Sequence, residues 1–129
     1  MAIFDIREKN DFNAIFYHIK DLSDQANMSV VKQTQLITAV CELMSNALNY
    51  AGHGQVDVYQ NKITEKQGVT VVITDTGPGI ADLPLAMKDG FSTKNTLGIG
   101  LPGAKRLADE FWIESVINQG TCIRITKYV

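Results

Sequence analysis

The sequence predicts an α/β two-layer sandwich, with helices packed on one face of a mixed, mainly antiparallel sheet. Two observations carry this. Segments with helical spacing and segments suited to strands follow in the order strand, helix, helix, two strands, loop, helix, two strands. Both strand pairs are joined by short polar links ending in glycine, "TEKQG" and "NQG", which fit hairpin turns. The 129 residues, 45% of them hydrophobic, suffice for one core, so a single domain over 1–129 is expected.

Residues 2–7, "AIFDIR", read as a short strand. Ile15, Phe16, Ile19, Leu22 and Ala26 then recur at helical spacing behind Asn10 or Asp11 as a cap, which predicts a helix over 11–26. Ser29 is placed to cap a second helix whose apolar positions are Leu36, Ile37, Val40, Leu43, Met44, Ala47 and Leu48, ending before "AGHG". "QVDVYQNKI" and "GVTVVITD" suit a hairpin. "DTGPG" is turn punctuation, and 82–100 reads as loop with at most a short helix near Leu85 to Lys88. "LPGAKRLADEF" gives a third helix, and "WIESVI" and "TCIRITKY" give a closing hairpin with Ile123 and Ile125 on one face.

Composition excludes several classes of function. The net charge is −2 and the longest basic run is the pair Lys105 and Arg106, so no stripe exists to neutralise a row of nucleic-acid phosphates. The N-terminus meets charge within five residues and lacks a signal-peptide pattern, and no apolar stretch approaches membrane-spanning length, so a cytoplasmic protein without membrane partners is expected. Cys41 and Cys122 lie 81 positions apart with no second ligand at metal spacing, which suits two reduced, packed thiols. His18 and His53 stand singly and are offered no specific role.

Five stretches are candidates for chemistry. On the second helix Glu42 and Asn46 point the same way, about 40° apart at the helical period. A solvated polar face is one reading, but from Gln33 to Gly52 Glu42 is the sole full charge and lacks a basic partner one turn away. The other reading is a site, with Glu42 as general base toward a hydroxyl and the Asn46 amide oxygen as a hard ligand for Mg²⁺. In "VVITDTGPGI" a strand runs into Asp75, and Gly77 and Gly79 allow close backbone approach. This is either a plain turn or a carboxylate accepting a hydrogen bond from a ligand amino group. "GIGLPG", Gly98 to Gly103, opens a helix whose free N–H groups favour a phosphate. A dinucleotide fold is excluded, since "FSTKNTL" is not strand-like and residue 123 is Ile rather than an acid. Lys94 in "GFSTKN" is a solvated loop lysine or a cation for a terminal phosphate on a lid. Gly120-Thr121 is a hairpin turn or presents a ligand-facing hydroxyl.

In order and spacing, Glu42-x-x-x-Asn46, Asp75-x-Gly-x-Gly79, Gly98-x-Gly-Leu-x-Gly103 and Gly120-Thr121 resemble the motif set of the GHKL ATP-binding superfamily, over about residues 35–129. Within it, "ELMSNALNYAGHG" and "DGFSTKNTLGIGLPGAKRLADEF" are most similar to the short switch serine/threonine kinases of bacterial stressosomes. The resemblance implies ATP and Mg²⁺, with transfer of the γ-phosphate to Ser or Thr of STAS-domain scaffold and antagonist proteins. It also implies release of the kinase to a downstream effector such as a phosphatase. Carried over residue by residue, Glu42 is the base, Asn46 the Mg²⁺ ligand and Asp75 the adenine-reading carboxylate. Gly77, Gly79, Ile80, Gly98, Gly100, Leu101 and Gly103 would shape the nucleotide pocket, with Lys94 at the phosphates and Thr121 near the base. The alternative implied by the same superfamily is an anti-sigma factor or nucleotide-dependent binding module that sequesters a regulatory partner.

Overall fold

The computed structural model describes residues 2–62, 66–88 and 100–129. The chain begins with strand β1 (Ala2–Ile6) and a single 3₁₀ turn (Lys9–Asp11). The Asp11 carboxylate accepts the N–H groups of Arg7 and Glu8, and these bonds hold it below the ordinary aspartate range. Helices α1 (Phe12–Gln25) and α2 (Val30–Ala51) follow. Ser29 caps α2 as expected, its Oγ accepting the Lys32 N–H at 3.2 Å. Gly52 ends α2 in a left-handed conformation, φ +78°, its N–H returning to the Ala47 and Leu48 carbonyls. Strands β2 (Gly54–Asn61) and β3 (Gly68–Asp75), a four-residue helix α3 (Leu83–Ala86), helix α4 (Gly100–Leu107) and strands β4 (Glu110–Val116) and β5 (Gly120–Tyr128) complete the order.

The strands form one sheet in the order β1-β2-β3-β5-β4. All four pairings are antiparallel, so the mainly antiparallel sheet expected from the sequence contains no parallel pair among the described strands. Strand alternation sends Ile6, Val56, Val58, Val71, Ile73, Ile123 and Ile125 to one face. There they meet the apolar stripes of α1 (Phe12, Ile15, Ile19) and α2 (Leu36, Val40, Leu43, Met44), which makes the two layers. Fully burying each such side chain contributes about 1.5–3 kcal/mol relative to exposure. The other face of the sheet lacks a helical cover among the described residues. On its edge strand β4 it carries Glu110, Trp112 and Glu114, all exposed, with the Arg124 guanidinium 5.3 Å from the Trp112 ring.

Two polar ties join the start of α2 to the end of α1 and to the link between them. The Gln33 amide, buried at 6% exposure, donates to the Asp24 carboxylate at 2.8 Å and to the Met28 carbonyl at 2.9 Å. Gln33, and after it Lys20, hold the Asp24 carboxyl below the ordinary aspartate range.

The third helix departs from expectation. Helical spacing extends through Phe111, yet α4 stops at Leu107 and β4 starts at Glu110. The Asp109 N–H donates to the Thr126 carbonyl at 2.9 Å, and Phe111 lies opposite Ile125. Ladder bonds and the partial burial of Phe111 outweigh the weak helical preference of "ADEF".

Candidate functional site

The sheet delivers its polar residues to one end. Asp75 is the last residue of β3 and Thr121 the second of β5, and the two are direct partners in the register. Ser115 of β4 is in turn the partner of Thr121, so one rung carries Asp75, Thr121 and Ser115 across three adjacent strands. The second half of α2 crosses above this end and adds Glu42, Asn46 and Tyr50.

Between them lies a cavity of about 360 Å³. Its walls are α2 (Glu42, Leu43, Asn46, Ala47, Tyr50), the strand ends (Ile73, Asp75, Thr121, Ile123), the segment from Pro78 to Asp82, Leu85 and Ala86 of α3, and Gly100 and Leu101 of α4. Of the residues singled out in the sequence, the structure brings together Glu42, Asn46, Asp75, Gly79, Ile80, Gly100, Leu101 and Thr121. Gly77 and Gly103 are not in the wall. Gly77 packs so closely on Ala51 that a Cβ would overlap it, which lets the turn sit against the end of α2. Gly103 lies on the buried face of α4. Lys94 and Gly98, and with them the lid "GFSTKN", lie outside the described residues.

Glu42 is not without a partner. Its Oε1 accepts the N–H of Gly100, the first described residue of α4, at 3.0 Å. A carboxylate at that position complements the start of a helix. Gly100 has φ +71°, a conformation that side chains disfavour, so glycine here lets the backbone turn into α4 and present its N–H to the acid. Asp75 is anchored likewise, Oδ1 accepting the Gly77 N–H at 2.9 Å, which leaves Oδ2 for a ligand donor.

The turn after Asp75 is clamped from two sides. Ile80 donates its N–H to Ser115 Oγ at 2.7 Å, and Asn118 donates to the Pro78 carbonyl at 2.8 Å. Gly79, φ +78°, faces the Val116 carbonyl with no room for a Cβ. On the other side His53 Nδ1 lies 3.0 Å from the Ala51 carbonyl and Nε2 lies 2.7 Å from Thr76 Oγ1. A carbonyl only accepts, so Nδ1 carries the proton, and in the neutral ring Nε2 accepts from the Thr76 hydroxyl. His53, given no role from sequence, thus fastens the turn to α2. Ser115 was also not singled out. The signal for it was present in "FWIESV", where alternation puts a hydroxyl on the inward face shared by Phe111 and Ile113.

The arrangement suits a small, largely apolar ligand with a hydrogen-bond donor for Asp75. The volume lies within the roughly 300–1,000 Å³ of small-molecule sites, with mostly apolar walls and few fixed polar groups. Among the described lining residues three are carboxylates, Glu42, Asp75 and Asp82, and none is Lys or Arg. A polyphosphate beside these carboxylates would be favoured by a cation between them, and Mg²⁺ fits, because it takes few protein ligands and shares substrate phosphates. Among the described residues no cluster of three His, Cys, Asp or Glu could cage a metal by itself, and no helix is long and apolar enough to cross a membrane.

Comparison with known proteins gives consistent matches. The family described as histidine kinase-, DNA gyrase B- and HSP90-like ATPase matches residues 31–128. The serine/threonine-protein kinase RsbT of Bacillus subtilis (strain 168) is 41% identical over 110 residues, covering 85% of this chain and 83% of that protein. The anti-sigma F factor of Bacillus licheniformis is 33% identical over 110 residues, covering 81% and 75%. Among solved structures, the mycobacterial sensor histidine kinase MprB aligns with a TM-score of 0.59 at 19% identity, over 98% of this chain and 96% of that one. The catalytic domain of histidine kinase ThkA aligns at 0.58 and 16%, over 99% and 96%. These two structures share the fold of this chain.

Proposed function

Because the chain belongs to the histidine kinase-, DNA gyrase B- and HSP90-like ATPase family, we propose that it is an ATP-dependent serine/threonine-protein kinase of a bacterial stress-signalling partner switch. Its substrates are STAS-domain scaffold and antagonist proteins, and it passes to a downstream effector such as a phosphatase once they are phosphorylated. The observation that carries the reading is Glu42, held in the cavity wall by the Gly100 N–H and facing the same space as Asp75 and Thr121. The 41% identity to RsbT supports it.

Bound Mg-ATP supplies the transferable γ-phosphoryl group, its charge offset by the ion. Asp75 Oδ2 accepts an N–H of the base, while Ile73 and Ile80 shield the ring from water. The Asn46 amide oxygen would be a ligand for the ion. Glu42, with Oε1 fixed, would take the proton of an incoming Ser or Thr hydroxyl on its other oxygen as that hydroxyl bonds to the γ-phosphorus and the bond from that phosphorus to the bridging oxygen breaks, ADP leaving. Lys94 is proposed to meet the phosphates, and Gly98 to shape the nucleotide pocket. The cytoplasm is the compartment in which such a kinase meets ATP.

A second reading is favoured by the 33% identity to an anti-sigma F factor: a nucleotide-dependent module that sequesters a sigma factor. Incubation with labelled ATP and a STAS-domain protein, then with a sigma factor, separates the two. Label on a Ser or Thr of the STAS protein is expected. A silent transfer assay with a tight sigma complex would reverse the order.

A further inference from the structure

We propose that Ser115, which does not line the cavity, fixes the hydroxyl of Thr121 as a hydrogen-bond donor and thereby selects the edge of the base that the pocket accepts. The inference rests on the nucleotide-binding reading above and deepens it.

Ser115 Oγ accepts the Ile80 N–H at 2.7 Å, so it has one hydroxyl proton left to place. Two acceptors are near, Thr121 Oγ1 at 2.8 Å and the Gly120 carbonyl at 3.4 Å. Hydroxyl bonds cluster near 2.7–2.8 Å and rarely extend past about 3.0 Å. In the proposed arrangement that proton goes to Thr121 across the shorter contact, and the Gly120 carbonyl takes none. Having accepted it, Thr121 has its own proton free, and its side chain, only 9% exposed, borders the cavity.

Asp75, the register neighbour of Thr121, is an acceptor only when ionised. The rung thus offers an acceptor beside a donor. A ligand edge with an amino donor next to a ring-nitrogen acceptor satisfies both, which is the adenine pattern. An edge with a carbonyl next to a ring N–H, the guanine pattern, faces oxygen against oxygen at Asp75 and proton against proton at Thr121. With one lone pair held by Ser115, the Thr121 hydroxyl has little freedom to turn its other lone pair toward such a ring N–H, and without the Ser115 proton that freedom returns. Ser115 is accordingly a positioning residue that acts on the base through Thr121.

The test is direct binding of ATP and GTP to the whole chain by calorimetry, which needs no protein substrate. Ser115→Ala is expected to lower the preference for ATP over GTP about five- to tenfold, the worth of one neutral hydrogen bond. Ser115→Thr, which keeps a hydroxyl, should restore the preference. Thr121→Val should lose the same discrimination, and adding Ser115→Ala to it should change nothing further. Equal weakening of both nucleotides in Ser115→Ala would mean a merely loosened turn and overturn the proposal, as would unchanged discrimination. Wild-type protein that binds neither nucleotide would instead overturn the nucleotide-site reading on which the proposal stands.

Discussion

The two halves of α2 share one apolar stripe but use their polar side chains differently. In the first half Gln33 is buried and its amide is taken up by Asp24 and the Met28 carbonyl, inside the fold. In the second half Glu42 accepts one backbone N–H and, with Asn46, still borders a cavity. A polar group whose bonding capacity is met by the protein is structure. One with capacity left over beside a hollow is available for a ligand. The first half should therefore answer to stability measurements and the second to chemistry.

The sharpest break of that division is Glu42→Gln. The amide oxygen can still accept the Gly100 N–H, so fold and Mg-ATP binding should persist while phosphoryl transfer falls about 10²–10⁴-fold, the usual contribution of a general base. Radiolabel transfer against the same variant's melting curve reads both. Equal transfer by mutant and wild type would remove Glu42 from the chemistry.

In the first half, Leu36 has no exposed surface. Leu36→Ala should cost about 2–5 kcal/mol in denaturant unfolding, yet leave the nucleotide Kd of the folded protein unchanged. A shifted Kd would mean that the halves are coupled. Asp75→Asn comes next, expected to weaken nucleotide about tenfold to a hundredfold through loss of a charge-assisted bond, with little change in unfolding.

The smallest effect concerns acid. Because the Gln33 amide holds the Asp24 carboxyl below its ordinary range, the folded value lies below the unfolded one. The stabilisation is therefore present above about pH 4 and is lost as pH falls through the folded value. Gln33→Leu should raise the Asp24 value and flatten that part of the acid limb, followed by denaturation at stepped pH. An unchanged limb would show that the tie contributes nothing in solution.

What the sequence revealed follows from how local its signals are. Ser29 as a cap, the stripe of α2 and the alternation of β5 are written within a few residues, and α1 was expected over 11–26 and runs Phe12–Gln25. Glu42, Asn46, Asp75 and Thr121 could be singled out because each sits in a short motif, and all four border the cavity. The end of α4 was not, because "ADEF" becomes strand only through Thr126 and Ile125, fifteen or so residues away. The partner of Glu42 is 58 positions distant, and no local pattern announces it. Ser115 and His53 act through hydroxyls on other elements, so their roles appear only once the sheet register and the turn after Asp75 are known.

The placing of Glu110 and Glu114 along the outermost strand carries a cost and a protection. A border strand offers unsatisfied backbone groups to any extended chain, and acids there discourage such annexation. Since that same strand supplies Ser115 to the clamp on the turn after Asp75, an intruding peptide would tug on the pocket as well as seed aggregates. Keeping the border charged thus guards solubility and recognition together.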